Sequence, residues 1–244
     1  MEIIVVETTA ELGRAAAGYV CDQVEANPRT VLGVATGSSP LPVYEYLAAN
    51  PHPDFRSVTC FALDEYRGLP ATHEQSYASF VQHRISEPLG IPSARTHIPS
   101  GSMDDADSAC SEYENLIQSA GGIDLQILGI GRNGHLAFNE PGSSFDSRTR
   151  VVALTQDSRE ANSRFFPSLE AVPTHAITQG LGTIQEAQHL LVVVNGHEKA
   201  AAVSRAVSGP VTEEAPASML QRHPNVTLLL DHAAASLLPL TTPC

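Results

Sequence analysis

Short runs of apolar and β-branched residues alternate along this chain with longer segments of helical periodicity. Such alternation is typical of βαβ units, in which helices connect parallel strands. We therefore expect an α/β fold with a mostly parallel open sheet flanked by helices, as in Rossmann-like proteins. The runs that predict strands are Ile3–Val6, Val31–Ala35, Val58–Leu63, Ile123–Ile130, Val151–Leu154, His189–Asn195 and Val226–Leu230.

Helices are predicted between these strands. The first is Ala-rich, with Thr8 or Thr9 as its cap, and ends near Asn27-Pro28. The chain shows no internal repeat, linker or shift in composition, so we interpret residues 1–244 as a single domain. The other predicted helices lie around Val43–Ala49, Ser76–Ile85 with Ser76 as a candidate cap, Asp104–Ala120, Ser158–Phe166, and from near His197 onwards.

The composition is that of a globular protein outside the membrane. No stretch approaches the roughly 20 apolar residues that span a bilayer, and the acidic start does not match a secretion signal. The widely spaced cysteines argue against a disulfide framework and against a zinc site. We expect a cytoplasmic protein with reduced thiols at Cys21, Cys60, Cys110 and Cys244.

The formal net charge of −13 disfavours nucleic acid and anionic lipid as partners. An anionic metabolite would bind only where local donors overcome that field. Lys199 is the single lysine of the chain, and it stands near the start of a predicted helix. A cation there opposes the helix dipole, and a bound phosphate ester would remove the conflict. Arg164 is a second candidate for the phosphate, with simple surface exposure as the alternative.

Several polar motifs lie at predicted strand ends, where open α/β sheets bind ligands. The turn Thr36-Gly37-Ser38-Ser39 precedes a helix started by Pro40, and its hydroxyls and glycine suit a phosphate. It is not a nucleotide P-loop, because no Gly-Lys-Ser/Thr follows. A plain strand-to-helix turn is the alternative interpretation.

Two further strand ends carry groups suited to proton transfer. Asp64 and Glu65 follow the third strand; Asp64 is the candidate general base, and the alternative is that both carboxylates cap a helix or are solvated. The glycine-rich loop from Gly129 leads to His135 and then Glu140, and a carboxylate can orient an imidazole and stabilise its charged form. The spacing of its glycines matches a dinucleotide fingerprint poorly.

These motifs together resemble the glucosamine-6-phosphate deaminases, also called glucosamine-6-phosphate isomerases. The resemblance runs from about Ile3 to Leu238, and its most specific part is Gly-His-x-x-Phe-Asn-Glu-Pro, here residues 134–141. The other matching segments are Thr36-Gly37-Ser38-Ser39-Pro40, Leu63-Asp64-Glu65-Tyr66-Arg67-Gly68-Leu69-Pro70, Ser147-Arg148-Thr149-Arg150 and Asn162-Ser163-Arg164-Phe165-Phe166.

The resemblance implies an enzyme that converts glucosamine 6-phosphate to fructose 6-phosphate and ammonia, without metal or organic cofactor. Asp64 would move a proton between C2 and C1 of the open sugar. His135 would open the ring with the help of Glu140. The phosphate would be held by Lys199, Arg164 and the turn at Ser38–Ser39.

Two departures from the family pattern affect these expectations. Asn133 stands where many members have an aspartate of the ring-opening group, so Glu140 alone would stabilise a charged His135. Some hexameric members bind N-acetylglucosamine 6-phosphate with a lysine at the position of Val152 and with a longer C-terminal segment. We expect weak or no activation here, with a vestigial allosteric group at Ser143, Ser144 and Arg150.

Three alternatives remain open at this point. A 6-phosphogluconolactonase would share the hydroxyl-rich turn and the Gly-His loop, but not Phe138-Asn139-Glu140-Pro141. Galactosamine 6-phosphate differs from the expected substrate at one hydroxyl. A sugar-phosphate sensor domain would need an attached DNA-binding segment, and this acidic chain begins at its first strand. A homo-oligomer also stays open.

Overall fold

The computed structural model describes residues 1–50, 53–102 and 105–238. Its strands are β1 (Glu2–Val6), β2 (Val31–Val34), β3 (Thr59–Ala62), β4 (Asp64–Tyr66), β5 (Thr96–His97), β6 (Leu125–Leu128), β7 (Arg150–Ala153), β8 (His175–Thr178), β9 (His189–Val194) and β10 (Val226–Asp231). Its α-helices are α1 (Thr9–Ala26), α2 (Leu41–Ala49), α3 (Tyr77–Val81), α4 (Glu87–Leu89), α5 (Ala106–Ser119), α6 (Gln156–Ser163), α7 (Leu181–Gln185), α8 (Ala200–Ser208) and α9 (His232–Ala235).

Within these described ranges, the main sheet has seven strands in the order β1-β10-β9-β6-β2-β3-β5. Every neighbouring pair in it is parallel. The central strands are buried on both faces, which explains why they are continuous apolar runs instead of alternating ones. The prediction of an α/β fold with a mostly parallel sheet is confirmed.

Helices cover both faces of this sheet. On one face, Leu12 and Val20 of α1 and Val43 and Leu47 of α2 pack in a single hydrophobic cluster. On the other face, a second cluster includes Ile117 of α5 with apolar residues of α7, α8 and α9. Two layers of helix around one sheet make the core large enough to hold the carboxyl ends of the strands in fixed positions.

The strand order reverses between β2 and β6. From β2 the chain continues through β3 and β5 towards one edge of the sheet, and from β6 it continues through β9 and β10 towards the other. The loops after β2, β3, β6 and β9 therefore open at the same edge of the sheet, around this reversal. In open α/β sheets such a crevice outside the carboxyl ends of the strands is the usual ligand site. The topology thus brings together segments that are far apart in the sequence.

A second, antiparallel sheet was not predicted. It has the order β4-β8-β7, and Asp64 of β4 pairs with Thr178 of β8. Tyr66 of β4 packs with Phe138, Leu154 and Ala176 in a small cluster beneath this sheet. The second sheet therefore fixes the backbone of Asp64 immediately beside the crevice.

Several predicted boundaries differ from those observed. The predicted helix Ser76–Ile85 is α3 followed by a π-helical turn at Gln82–Ser86, and Ser76 caps it by accepting from the Ser79 amide at 3.0 Å. Lys199 ends a 3₁₀ turn that leads into α8. The first residue of the predicted helix Asp104–Ala120 lies outside the described residues, and α5 begins at Ala106.

Candidate active site

The turn after β2 links the end of that strand to α2. Pro40 is the cap residue of α2, and its side chain has no polar atom that could bind the amides of the first turn. Ser39 is buried, and its hydroxyl donates to Asn195 Oδ1 after β9 at 3.4 Å. This contact ties the hydroxyl-rich turn to the segment that carries Lys199.

Asp64 and Glu65 have separate surroundings although they are neighbours in β4. Both oxygens of Glu65 accept amide hydrogen bonds at the start of α3, from Tyr77 at 3.0 Å and Ala78 at 2.8 Å. Asp64 lines a pocket at the sheet edge and is 5% exposed. Its Oδ1 has no hydrogen-bond partner among the described residues. Glu65 is therefore a helix cap, and Asp64 is left available to a ligand.

The environment of Asp64 favours a proton acceptor. Burial raises the pKa of Asp64 well above its ordinary range, and the adjacent Glu65 carboxylate raises it further. A carboxylate with a raised pKa is a stronger base than an exposed one once it is ionised. Asp64 thus has both the location and the basicity to remove a weakly acidic proton.

The loop after β6 holds His135 in a tight turn. The Gly131 amide donates to the His135 carbonyl at 2.9 Å, and the Gly134 amide donates to the Gly131 carbonyl at 2.9 Å. A Cβ added to Gly131 would lie 2.2 Å from His135 Nε2, so only glycine lets the imidazole pack here. Gly131 and the hydrogen bonds of this loop therefore position the histidine.

Glu140 lies directly behind His135. Its Oε1 is 3.4 Å from His135 Nδ1, and its Oε2 accepts from Asn133 Nδ2 at 2.5 Å. Burial alone would raise the pKa of Glu140, but His135 and hydrogen bonds from Ser158 and Asn133 lower it to about 2. The carboxylate is therefore ionised at neutral pH and can stabilise a charged imidazole.

Asn133 holds this arrangement from two sides. Its Nδ2 binds Glu140, and its Oδ1 accepts from the His135 amide at 3.1 Å. A neutral amide can donate to Glu140, whereas an aspartate at this position would face it with a second negative charge. Asn133 thus orients the pair, and Glu140 is the carboxylate beside the imidazole.

Lys199 reaches the same pocket from the end of β9. Gly196 has φ +93°, and its amide donates to both oxygens of Asp231 at 3.1 and 3.2 Å. Burial lowers the pKa of Lys199; Glu198 opposes this shift, while Arg132 and Arg164 add to it. Repulsion between these cations would be relieved by a bound anion.

Arg164 caps the carboxyl end of α6, with its guanidinium 4.6 Å from the centre of the Phe165 ring.

The structure brings most of the predicted site residues to one pocket, which Glu140 supports from behind His135. The predicted residues that line the pocket are Thr36, Gly37, Ser38, Ser39, Asp64, Asn133, His135, Arg164 and Lys199.

With this geometry established, the comparison with known proteins decides the family. Residues 7–229 match the model of the glucosamine-6-phosphate isomerases/6-phosphogluconolactonase family. The chain belongs to this family. Among its relatives are proteins called glucosamine-6-phosphate deaminase from Pseudarthrobacter chlorophenolicus and Mycolicibacterium smegmatis. The first is 48% identical over 98% of this chain and 93% of its own, and the second is 47% identical over 98% and 94%.

Solved structures of the family agree with this membership. A monomeric glucosamine-6-phosphate deaminase is 41% identical, with a TM-score of 0.94, over 97% of this chain and 100% of its own. The 6-phosphogluconolactonase of Trypanosoma cruzi is 22% identical, with a TM-score of 0.78, over 98% and 97%. At that identity the lactonase shows a shared fold alone.

Three lining residues were not singled out from the sequence. Arg132 contributes a further cation to the pocket mouth, Tyr77 contributes an aromatic wall, and Ser158 contributes a hydroxyl beneath Glu140. Arg132 lies in the glycine-rich loop that carries the family resemblance, so its positive charge could have identified it from the sequence. Ser158 gave no local signal, because its contact with Glu140 spans 18 residues of sequence.

The three residues expected to form a vestigial allosteric group do not line the pocket. Arg150 is half-buried; it donates to Asn139 Oδ1 at 2.8 Å and to Ser143 Oγ at 3.2 Å. Ser144 Oγ accepts from the Asp146 amide at 3.3 Å. The structure thus brings Ser143 and Arg150 together, while Ser144 closes its own turn.

Metal-binding clusters and membrane-spanning helices are absent from the described ranges. These ranges contain no group of three or more His, Cys, Asp or Glu side chains placed to hold a metal ion. No helix in them is long and apolar enough to cross a bilayer. Cys21, Cys60 and Cys110 are free thiols, and Cys244 lies outside the described residues.

Proposed function

We propose that this chain is an enzyme that isomerises and deaminates glucosamine 6-phosphate to fructose 6-phosphate and ammonia. The observation that carries the proposal is one pocket that joins a buried carboxylate, an imidazole–carboxylate pair and a set of cations. The pocket volume of about 220 Å³ suits a small metabolite, since pockets for drug-sized ligands run from roughly 300 Å³ upwards. The two relatives at 48% and 47% identity and the solved structure at 41% identity are named glucosamine-6-phosphate deaminases.

His135 opens the pyranose ring in this proposal. The imidazole takes the proton from O1 and delivers it to the ring oxygen, which breaks the bond between C1 and that oxygen and leaves an aldehyde. Glu140 stabilises the imidazolium that forms between the two steps, because its carboxylate is already ionised. Asn133 holds Glu140 and His135 in position relative to each other through its two hydrogen bonds.

Asp64 carries out the isomerisation. Its carboxylate removes the C2 proton, which the aldehyde has made acidic, and O1 takes a proton from water to give an enolamine. Asp64 then returns its proton to C1, so that the C1–C2 double bond becomes a C2 iminium, and the nitrogen releases one proton to water to leave the imine. Water adds to C2 and ammonia leaves, so the ketone of fructose 6-phosphate remains and the overall reaction is a hydrolysis.

The phosphate binds at the cationic end of the pocket. Lys199, Arg164 and the turn at Ser38–Ser39 hold it, and Arg132 adds charge at the mouth. Binding energy from this remote group can orient the reacting carbons against Asp64 and His135.

The active unit in this proposal is a single domain over residues 1–244 that acts in the cytoplasm. It uses no metal and no organic cofactor, and neither nucleic acid nor membrane is a partner. Its chemistry is complete within one chain, and a homo-oligomer would not need to share the pocket.

We also propose that N-acetylglucosamine 6-phosphate activates the enzyme weakly or not at all. The Arg150 guanidinium already binds Asn139 and Ser143, and Val152 stands where activated members have a lysine. Adding this compound should leave the dependence of rate on substrate concentration unchanged. A sigmoidal curve that becomes hyperbolic would contradict the proposal.

An ammonia-release assay on the purified protein tests the function. Glucosamine 6-phosphate, galactosamine 6-phosphate and 6-phosphogluconolactone are compared as substrates, with lactone opening followed separately. We expect ammonia from glucosamine 6-phosphate with the highest kcat/KM. Faster opening of the lactone would assign the chain to lactone hydrolysis, which has no carbon-bound proton for Asp64 to move.

A further inference from the structure

Glu140 connects two separate elements of the pocket. In the loop after β6, its Oε2 accepts a hydrogen bond from Asn133 Nδ2, and its Oε1 faces His135 Nδ1. From the start of α6, the Ser158 hydroxyl makes a short hydrogen bond to the same Oε1, and the Thr155 hydroxyl donates to it at 3.3 Å. Ser158 is 5% exposed, so water competes little for this bond.

Helix α6 in turn reaches the cationic end of the pocket. Thr155 caps its first turn, and Arg164 follows its last residue. Ser158 and Arg164 are six residues apart, about 9 Å along a helix. One short element therefore touches the carboxylate behind His135 at its start and presents a phosphate-binding cation at its end.

We propose that Ser158 is a positioning residue that joins Arg164 and His135 into one unit by fastening α6 to Glu140. The inference rests on the proposed function, in which Arg164 binds the phosphate and His135 opens the ring. Ser158 itself takes no part in a bond that forms or breaks.

The physical basis is a hydrogen bond to an ionised group in a buried setting. Such bonds are about twice as strong as neutral ones, and they are directional. If the Ser158 hydroxyl is removed, α6 loses its strongest contact with Glu140, so Arg164 is held less closely over the pocket. The Oε1 atom that faces His135 loses its shorter hydrogen bond and keeps the longer one from Thr155.

Loss of Ser158 should therefore affect binding and turnover together. We expect Ser158→Ala to raise KM about tenfold and to lower kcat about tenfold, the scale of one lost hydrogen bond to a charged group. Ser158→Thr keeps the hydroxyl and should restore both values. A residue that merely stabilised the fold would lower the unfolding temperature without this pattern.

Ser163→Ala is the matched control on the same helix. The Ser163 hydroxyl donates to the Glu160 carbonyl at 2.7 Å, and no hydrogen bond joins it to Glu140 among the described residues. This variant should keep the KM and kcat of the unmodified enzyme. Thermal unfolding of both alanine variants shows whether α6 and the rest of the chain remain folded.

A double-mutant cycle with Arg164→Ala tests the connection itself. Once Arg164 is absent, holding α6 in place no longer helps phosphate binding. The KM of Ser158→Ala/Arg164→Ala should therefore match that of Arg164→Ala within about twofold. The kcat loss caused by Ser158→Ala should persist.

Two results would overturn the inference. One is a KM for the double variant equal to the product of the two single effects, and the other is a Ser158→Ala enzyme that behaves like Ser163→Ala. Failure of the proposed function looks different, because the unmodified protein would then release no ammonia from glucosamine 6-phosphate.

Discussion

Asp64 and Glu65 are adjacent in β4 and face different parts of the molecule. Glu65 accepts the amides of Tyr77 and Ala78 at the start of α3, while Asp64 lines the pocket with one oxygen unpaired among the described residues. Successive side chains of a strand point to opposite faces, which accounts for the split. Of two chemically similar carboxylates, Glu65 thereby has a structural task and Asp64 is the proposed base.

Replacing Glu65 should reduce stability. Glu65→Ala removes the acceptor of the buried Tyr66 amide and of the partly buried Tyr77 and Ala78 amides, and an unmet buried donor costs about 1–3 kcal/mol. We expect a lower free energy of unfolding by denaturant titration. Glu45→Ala, at an exposed position of α2, is the control, and an equal effect of both substitutions would contradict the capping role.

The pH dependence of kcat/KM should show the raised pKa of Asp64. A general base must be ionised, so activity falls as the pH drops through its pKa, and a raised pKa places this fall at higher pH. The Glu65 carboxylate contributes to the rise. Glu65→Gln removes that charge and should move the acidic limb towards lower pH. An unchanged limb would show that another group controls it.

Asn133→Asp should alter the same profile in the opposite direction. The new carboxylate would lie at the 2.5 Å contact with Glu140, and like charges raise the pKa of such a pair. Glu140, whose pKa is about 2 in the present arrangement, would then take up a proton in the working range. We expect the acidic limb of kcat/KM to move to higher pH. A profile that overlays the original would contradict the role given to Asn133.

The cations of the pocket should differ in their effects. Lys199→Ala removes a half-buried charge and should raise KM for glucosamine 6-phosphate by about tenfold to a hundredfold, with a smaller change in kcat. Arg132→Ala removes an exposed charge and should raise KM only about two- to fivefold. Phosphate-free glucosamine as substrate is the control. An equal loss with glucosamine would mean that Lys199 does not bind the phosphate.

Six of the seven strands described in the parallel sheet could be predicted because they are apolar runs that need no tertiary context, whereas β5 is only Thr96–His97. The motifs at Thr36, Asp64, His135 and Lys199 could be placed at one edge because parallel strands share it. The antiparallel sheet could not, since β4 has three residues, two of them carboxylates, and shows no periodicity.

The division of tasks at the site also depended on contacts that sequence does not display. Which of Asp64 and Glu65 caps α3 is decided by the position of that helix. Ser158 reaches Glu140 only after the chain turns back from β7. Its hydroxyl has no local feature that separates it from the other serines of the same stretch.

In the proposed function, Asp64 is the base that moves a proton from C2 of the substrate. The most direct measurement compares ammonia release from glucosamine 6-phosphate by the unmodified protein, Asp64→Asn and the exposed control Asp22→Asn. Positioned general bases contribute about 10²–10⁴-fold, so Asp64→Asn should lose at least about a hundredfold in kcat while Asp22→Asn keeps it. Near-normal turnover by Asp64→Asn would contradict the account.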